Sequence, residues 1–145
     1  MKIASVQEMF DLGKKIASQL RAGDLILLNG PLGAGKTVLV QGIGAALGFN
    51  EVTSPTFVIS RIHKGALSLI HVDSYRLLES GNAALYLDDL DLDTPRESAV
   101  TVIEWGGAES ARLSDDRLEI EIDRTDEERE VTIRAVGPRW AGFKL

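Results

Sequence analysis

The chain has 145 residues, a formal net charge of −6 and a sequence pI near 4.9, a length that suits one domain over 1–145. The acidic balance argues against autonomous nucleic-acid binding, which shows a basic footprint, but not against joining an assembly whose other members hold nucleic acid. With no cysteine, disulfides and thiolate metal sites are excluded.

The N-terminus, MKIASVQEMF, lacks the apolar core of a signal peptide, and no stretch approaches the ~18 apolar residues of a membrane span. Ser5-Val6-Gln7-Glu8 fits a capping box, with Ser5 as N-cap and Glu8 reaching back. Val6, Met9, Phe10, Ile16, Ala17 and Leu20 then form an apolar stripe, which predicts a helix from about 6 to 20 ending near Ala22-Gly23. Its expected role is to cover a sheet.

Leu25 to Leu28 run apolar without a break, too short for a helix and suited to a strand buried on both faces. Gly30-Pro31-Leu32-Gly33-Ala34-Gly35-Lys36-Thr37 follows, and a helix opens at Lys36 and Thr37 and continues through Leu39, Val40, Ile43 and Leu47 toward Gly48. This is the phosphate-binding pattern G-x-x-x-x-G-K-[ST] between a strand and a helix. A triphosphate needs many donors close together. Glycines at 30, 33 and 35 let backbone N–H groups turn inward, and the helix N-terminus adds partial positive charge. The nucleotide contacts are therefore expected from Gly30, Leu32, Gly33, Ala34, Gly35, Lys36, Thr37 and Val38. The Lys36 ammonium is expected at the β/γ-phosphates and the Thr37 hydroxyl on Mg²⁺.

Thr53-Ser54-Pro55-Thr56 reads as a polar turn before a strand from Phe57 to Ile62. It is either a hairpin arm or a segment near the γ-phosphate with hydroxyls to sense it. After Lys64-Gly65, residues Leu67 to Asp73 read as a strand ending in an acid. Asp73 there is either a Mg²⁺-organising carboxylate or the N-cap of a following turn. His71 reads as an ordinary strand residue. Residues 78–98 are acidic, with a short helix possible at Ala83 to Leu87. Asp88, Asp89, Asp91 and Asp93 lack the central glycine and terminal Glu of a calcium loop, so a solvated acidic loop is expected.

Ala99 to Glu104 form a third apolar strand ending in an acid, followed by Trp105-Gly106-Gly107 and a short helix to Leu113. Three strands thus deliver polar groups from their carboxyl ends, where ligands of open α/β sheets bind. Glu104 is expected to hold Mg²⁺ through water or to orient the attacking water. Leu118 to Ile122 and Val131 to Ala135 alternate, joined as a hairpin by a polar turn at 123–130, with Glu119 and Glu121 on a solvated edge. The predicted fold class is α/β: a mainly parallel central sheet flanked by helices, of the P-loop NTPase kind, with a C-terminal β-hairpin.

The chain resembles the TsaE (YjeE) family of small bacterial ATPases, required for threonylcarbamoyl modification of adenosine 37 in tRNA. The matching pieces are NGPLGAGKT at 29–37, SPTF at 54–57, HVDSYRL at 71–77 and VIEW at 102–105, in order and spacing. The resemblance implies ATP and Mg²⁺ in the crevice, with Thr37 and Glu104 near the metal and Asp73 in the second-motif position. Partners of the TsaD and TsaB type are also implied, the modification itself being made by them. It places Arg129 near the nucleotide. The family often has Thr where this chain has Met9. ATP over GTP rests on the resemblance, supported by the lack of an N-K-x-D guanine motif.

The expected chemistry is ATP hydrolysis by positioning and charge neutralisation, with Lys36, Asp73 and Glu104 as its catalytic groups. Two alternatives remain: a small-molecule kinase, and a nucleotide-dependent binding switch with little catalysis. A cytoplasmic location is expected from the lack of targeting signals and the use of a nucleotide.

Overall fold

The apolar run at 25–28 lies at the centre of a sheet. The computed structural model describes residues 1–31, 35–49, 60–63, 67–73, 99–104, 116–125 and 128–144. In chain order the elements are β1 (Lys2–Ile3), α1 (Val6–Ala17), β2 (Leu25–Asn29), α2 (Lys36–Ala46), β3 (Ser60–His63), β4 (Ser68–Asp73), β5 (Ala99–Glu104), β6 (Arg117–Thr125) and β7 (Glu128–Val136), then a 3₁₀ turn at Pro138–Trp140. The strands order as β1-β7-β6-β2-β5-β4-β3. The central four, β6-β2-β5-β4, are mutually parallel. Antiparallel pairing is confined to the two flanks, at β3–β4 on one side and β6–β7–β1 on the other. The fold is thus the expected α/β type with a parallel centre and a C-terminal hairpin.

Parallel strands buried on both faces need apolar side chains at every position. β2 follows this with Leu25 to Leu28, and all of Ala99 to Glu104 in β5 are buried, with Thr101 and Glu104 as polar exceptions. One face of the sheet carries both helices. Ile26, Leu28, Val100, Val102, Leu118, Ile120 and Ile122 join Met9, Leu12, Ile16, Leu39, Val40 and Ile43 in a single apolar cluster.

Helix α1 starts where the capping box predicts. The Ser5 side chain accepts from the Glu8 N–H at 3.1 Å. The Glu8 carboxylate accepts from the Ala4 N–H at 2.7 Å, one residue before the expected return contact. The helix stops at Ala17, three residues early, because the chain tightens there: the N–H groups of Gln19 and Leu20 donate to the carbonyls of Ile16 and Ala17. Helix α2 ends at Ala46 with Leu47 as its C-cap, and Gly48 follows at C′ as expected.

The two helices cross at glycines. A Cβ on Gly13 would lie 2.3 Å from the Leu39 carbonyl oxygen, and one on Gly42 would lie 2.1 Å from that of Phe10. Backbone meets backbone there, which no side chain permits.

The hairpin departs from expectation in its place, not its existence. β6 is interior, bonded to β2 on one side and to β7 on the other. Glu119 and Glu121 do share the wetter face, where Arg117 pairs with Glu119 at 3.0 Å, but the strand is not an edge. Both strands also run longer than the alternating cores of 118–122 and 131–135. β1, too short to show a period, was not foreseen. It pairs Lys2 and Ile3 with Glu130 and Arg129, and so caps the hairpin's outer strand. The SPTF segment, the acidic stretch at 78–98 with its possible helix, and the helix expected after Gly107 lie outside the described residues.

Candidate nucleotide-binding site

The site begins with β2. The chain leaves β2 for the β5–β4–β3 side of the sheet and returns on the other side as β6 and β7. The strand order therefore reverses at β2, and ligands of open α/β sheets bind outside the carboxyl ends of the strands at such a point. The glycine-rich loop starts at that point.

Strand register then sets the two acids beside it. Leu28 of β2 is level with Glu104 of β5, and Glu104 is level with the backbone of Asp73 in β4. Neighbouring strands lie about 4.8 Å apart, so these three strand ends form a compact row. Glu104 is buried. The side chain of Asp73 lies outside what the structure describes.

Lys36 opens α2 and turns back over the loop. Its ammonium donates to the Gly30 carbonyl at 2.7 Å and to the Pro31 carbonyl at 2.9 Å. Only 6% of the residue is exposed. A polyanion drawn into the loop would gain charge-assisted hydrogen bonds from this ammonium. The helix end supports the same sign. Its N-cap is Gly35, which has no side chain to cap with, and no acidic residue occupies the first turn. An anion is the ligand such an end favours.

Gly35 itself adopts φ +107°, a conformation side chains rarely take. Met9 packs against it: a Cβ there would meet the Met9 Cε at 3.2 Å. Met9 is buried, so the first turns of α1 brace the end of the loop through an apolar contact. Thr37 and Val38 follow, both half-buried. Leu32, Gly33 and Ala34 lie outside the described residues. Arg129 is at the same end of the sheet, beside Arg124 and Ile3 in register, but β6 separates its strand from β2.

One contact within this row was not anticipated. His71, read from the sequence as an ordinary strand residue, has its Nε2 2.5 Å from the Glu104 Oε2. Both groups are buried. The available signal was its place two residues before Asp73, but only the β4–β5 register shows that it faces Glu104.

The donor set can be weighed against a divalent cation. Thr37, Asp73 and Glu104 offer hard oxygen ligands, which suit Mg²⁺. Among the described residues no group of three or more His, Cys, Asp or Glu converges to cage a metal. Mg²⁺ commonly uses one or two protein carboxylates and takes its remaining ligands from phosphate and water.

A family model described as Threonylcarbamoyl adenosine biosynthesis protein TsaE matches residues 3–131. The chain belongs to the TsaE family. Its similarity to the tRNA threonylcarbamoyladenosine biosynthesis protein TsaE of Streptomyces coelicolor is 48% identity over 142 residues, 92% of this chain and 94% of that protein. The Bacillus subtilis protein of the same name is 37% identical over 138 residues, covering 92% and 84%. The crystal structure of Bacillus subtilis YdiB superposes with a TM-score of 0.80 at 31% identity, over 97% of this chain and 87% of that one. The TsaE match thus spans the loop, both acids and Arg129 together. Among the described residues no helix is long and apolar enough to cross a membrane.

Proposed function

We propose that this TsaE-family protein binds ATP with Mg²⁺ in the loop between β2 and α2 and hydrolyses it. It does so as an accessory to threonylcarbamoylation of adenosine 37 in tRNA, acting on partners of the TsaD and TsaB type in the cytoplasm. The observation that carries the reading is the buried Lys36 ammonium folded over the carbonyls of Gly30 and Pro31, at the strand end level with Glu104. Family membership supplies the tRNA-modification setting.

The roles follow from chemistry. Backbone N–H groups of Gly30, Leu32, Gly33, Ala34, Gly35, Lys36, Thr37 and Val38 hold the phosphate oxygens, and Lys36 exchanges its carbonyl partners for the β/γ-phosphates. Thr37, Asp73 and Glu104 would hold Mg²⁺, which when bound neutralises charge developing on the transferred phosphoryl group. Glu104 also fixes a water for in-line attack. Arg129 approaches the nucleotide from the hairpin side. The purified protein should bind ATP in the presence of Mg²⁺ and release phosphate, with a larger rate when both partner proteins are added. Failure of Lys36→Ala to impair ATP binding would remove the loop from the reading. Transfer of the γ-phosphate to an acceptor other than water would make the protein a kinase.

A further inference from the structure

We propose that His71 is a positioning residue that fixes the Glu104 carboxylate at the carboxyl end of β5, an inference that rests on the role given to Glu104 above. The bond between them crosses from β4 to β5. His71 is level with Val102, two residues before Glu104, and its ring leans along the strand direction to place Nε2 against Oε2. A carboxylate only accepts, so Nε2 carries the proton and donates. The side chains are 0% and 6% exposed, so water does not compete for the bond.

A tether of this kind has a purpose that packing alone does not supply. Position 71 alternates with Leu69 on the face that also carries Val100 and Val102. A branched aliphatic side chain there would fill the space without burying polar atoms. The imidazole instead leaves its Nδ1 with no hydrogen-bond partner, a cost in stability. What it gains in return is one bond, and that bond goes to Glu104. Glutamate has three rotatable side-chain torsions, whereas a ring on a buried central strand has almost no freedom. The pairing therefore holds one carboxylate oxygen still and fixes where the other is directed. Fixed orientation of this sort is what positioning a metal ion or an attacking water requires.

The test compares His71→Gln with His71→Asn. The Gln amide reaches as far as Nε2 and can still donate to Glu104; the shorter Asn amide stops near the Nδ1 position. Both are neutral amides, so a merely structural role would move them together. With the partner proteins present, His71→Gln should retain ATPase kcat within about threefold of the parent. His71→Asn should lose about tenfold to a hundredfold, as expected for one hydrogen bond to a charged group. KM for ATP should stay within about threefold in both, because the lost interaction acts on the chemical step. In a Glu104→Gln background, His71→Asn should add little further loss, since the group it positions has already gone.

Equal kcat for the Gln and Asn variants would overturn the proposal. So would losses that follow the thermal transition temperatures, or losses that multiply with Glu104→Gln. Failure of the underlying reading looks different: the unaltered protein would then be inert with its partners, or Lys36→Ala would be as active as the parent, and the proposal would fall with it. Should His71→Asn not fold, His71→Ser, which also cannot reach Glu104, takes its place in the same comparison.

Discussion

At the scale of single residues, the site depends on groups whose burial raises the consequence of every partner. Lys36 holds its ammonium against the carbonyls of Gly30 and Pro31 in a largely buried position. A hydrogen bond to a charged group contributes about 1.5–3 kcal/mol, and the ammonium should donate more than one to a triphosphate. Lys36→Ala is therefore expected to weaken ATP binding at least ~100-fold by isothermal titration, and to abolish measurable hydrolysis. Glu104→Gln should separate the two quantities. It keeps the shape and removes the charge, so hydrolysis should fall by about 10²-fold or more while ATP affinity changes little. Equal losses in both would show that Glu104 serves binding alone.

The residues of the loop were legible because their spacing is local: the whole G-x-x-x-x-G-K-[ST] run spans eight consecutive positions. The tie between His71 and Glu104 was not, because their adjacency is created by parallel pairing of β4 with β5. No periodicity reports which residue of one strand lies beside which residue of another. The same holds for Met9: the stripe on α1 predicted its burial, but its contact with Gly35 depends on how α1 crosses α2.

At the scale of elements, the crossing of α1 and α2 governs the site's geometry. Gly13 and Gly42 let the two backbones touch, and this brings Met9 against the last glycine of the loop. A Cβ at Gly42 would sit 2.1 Å from the Phe10 carbonyl oxygen, a backbone atom that cannot rotate aside. Gly42→Ala should force the helices apart and cost about 2–3 kcal/mol, an overpacking penalty. For a domain of this size that is a fall in Tm of roughly 6–12 °C. Because α2 carries Lys36 and Thr37 in its first turn, ATP affinity should fall as well. A thermal melt with and without ATP·Mg²⁺ measures both effects: a smaller nucleotide-induced shift in the variant is the expected result, and an unchanged melt would contradict the contact.

Element existence followed from period, while element placement did not. Alternation at 118–122 predicted a strand with one wet face, and β6 has one. Its interior position came from pairing Ile26 to Leu118 and Leu28 to Ile120, which extends the parallel core beyond the three strands that end in site groups.

Across the whole molecule, the tail locks the start of the central strand. Arg139 forms a two-pronged pair with Asp24, both contacts at 3.0 Å, and donates to the Gln19 carbonyl at 2.8 Å. It also stacks 4.1 Å over the Trp140 ring. Asp24 directly precedes β2 and is 4% exposed. Removing Arg139 would leave that carboxylate buried without its cation, a change that typically costs about 3–5 kcal/mol. Arg139→Ala should thus lower stability by about 3 kcal/mol in a denaturant titration. This lock lies at the amino end of β2, remote from the loop, so ATP affinity in the folded fraction should be preserved. A loss of affinity at full stability would mean that the tail communicates with the site.

The same whole-molecule view bears on turnover. Lys36 brings one positive charge to the loop, and Arg129, which the family resemblance places near the nucleotide, stands in β7 with β6 between it and β2. Phosphoryl transfer needs charge balanced on the equatorial oxygens as the bond breaks, and an added arginine at that point is worth about 10³–10⁵ in rate. If the isolated protein holds no arginine at those oxygens, it should turn over slowly. Partner binding can supply what is missing, either by adding a cation or by moving Arg129 toward the phosphates. Single-turnover hydrolysis should therefore accelerate by at least ~10-fold when TsaD- and TsaB-type proteins are both present. Arg129→Ala then separates the two routes. If the acceleration survives the substitution, the cation comes from the partner; if it disappears, Arg129 is the group that the complex brings to the phosphates.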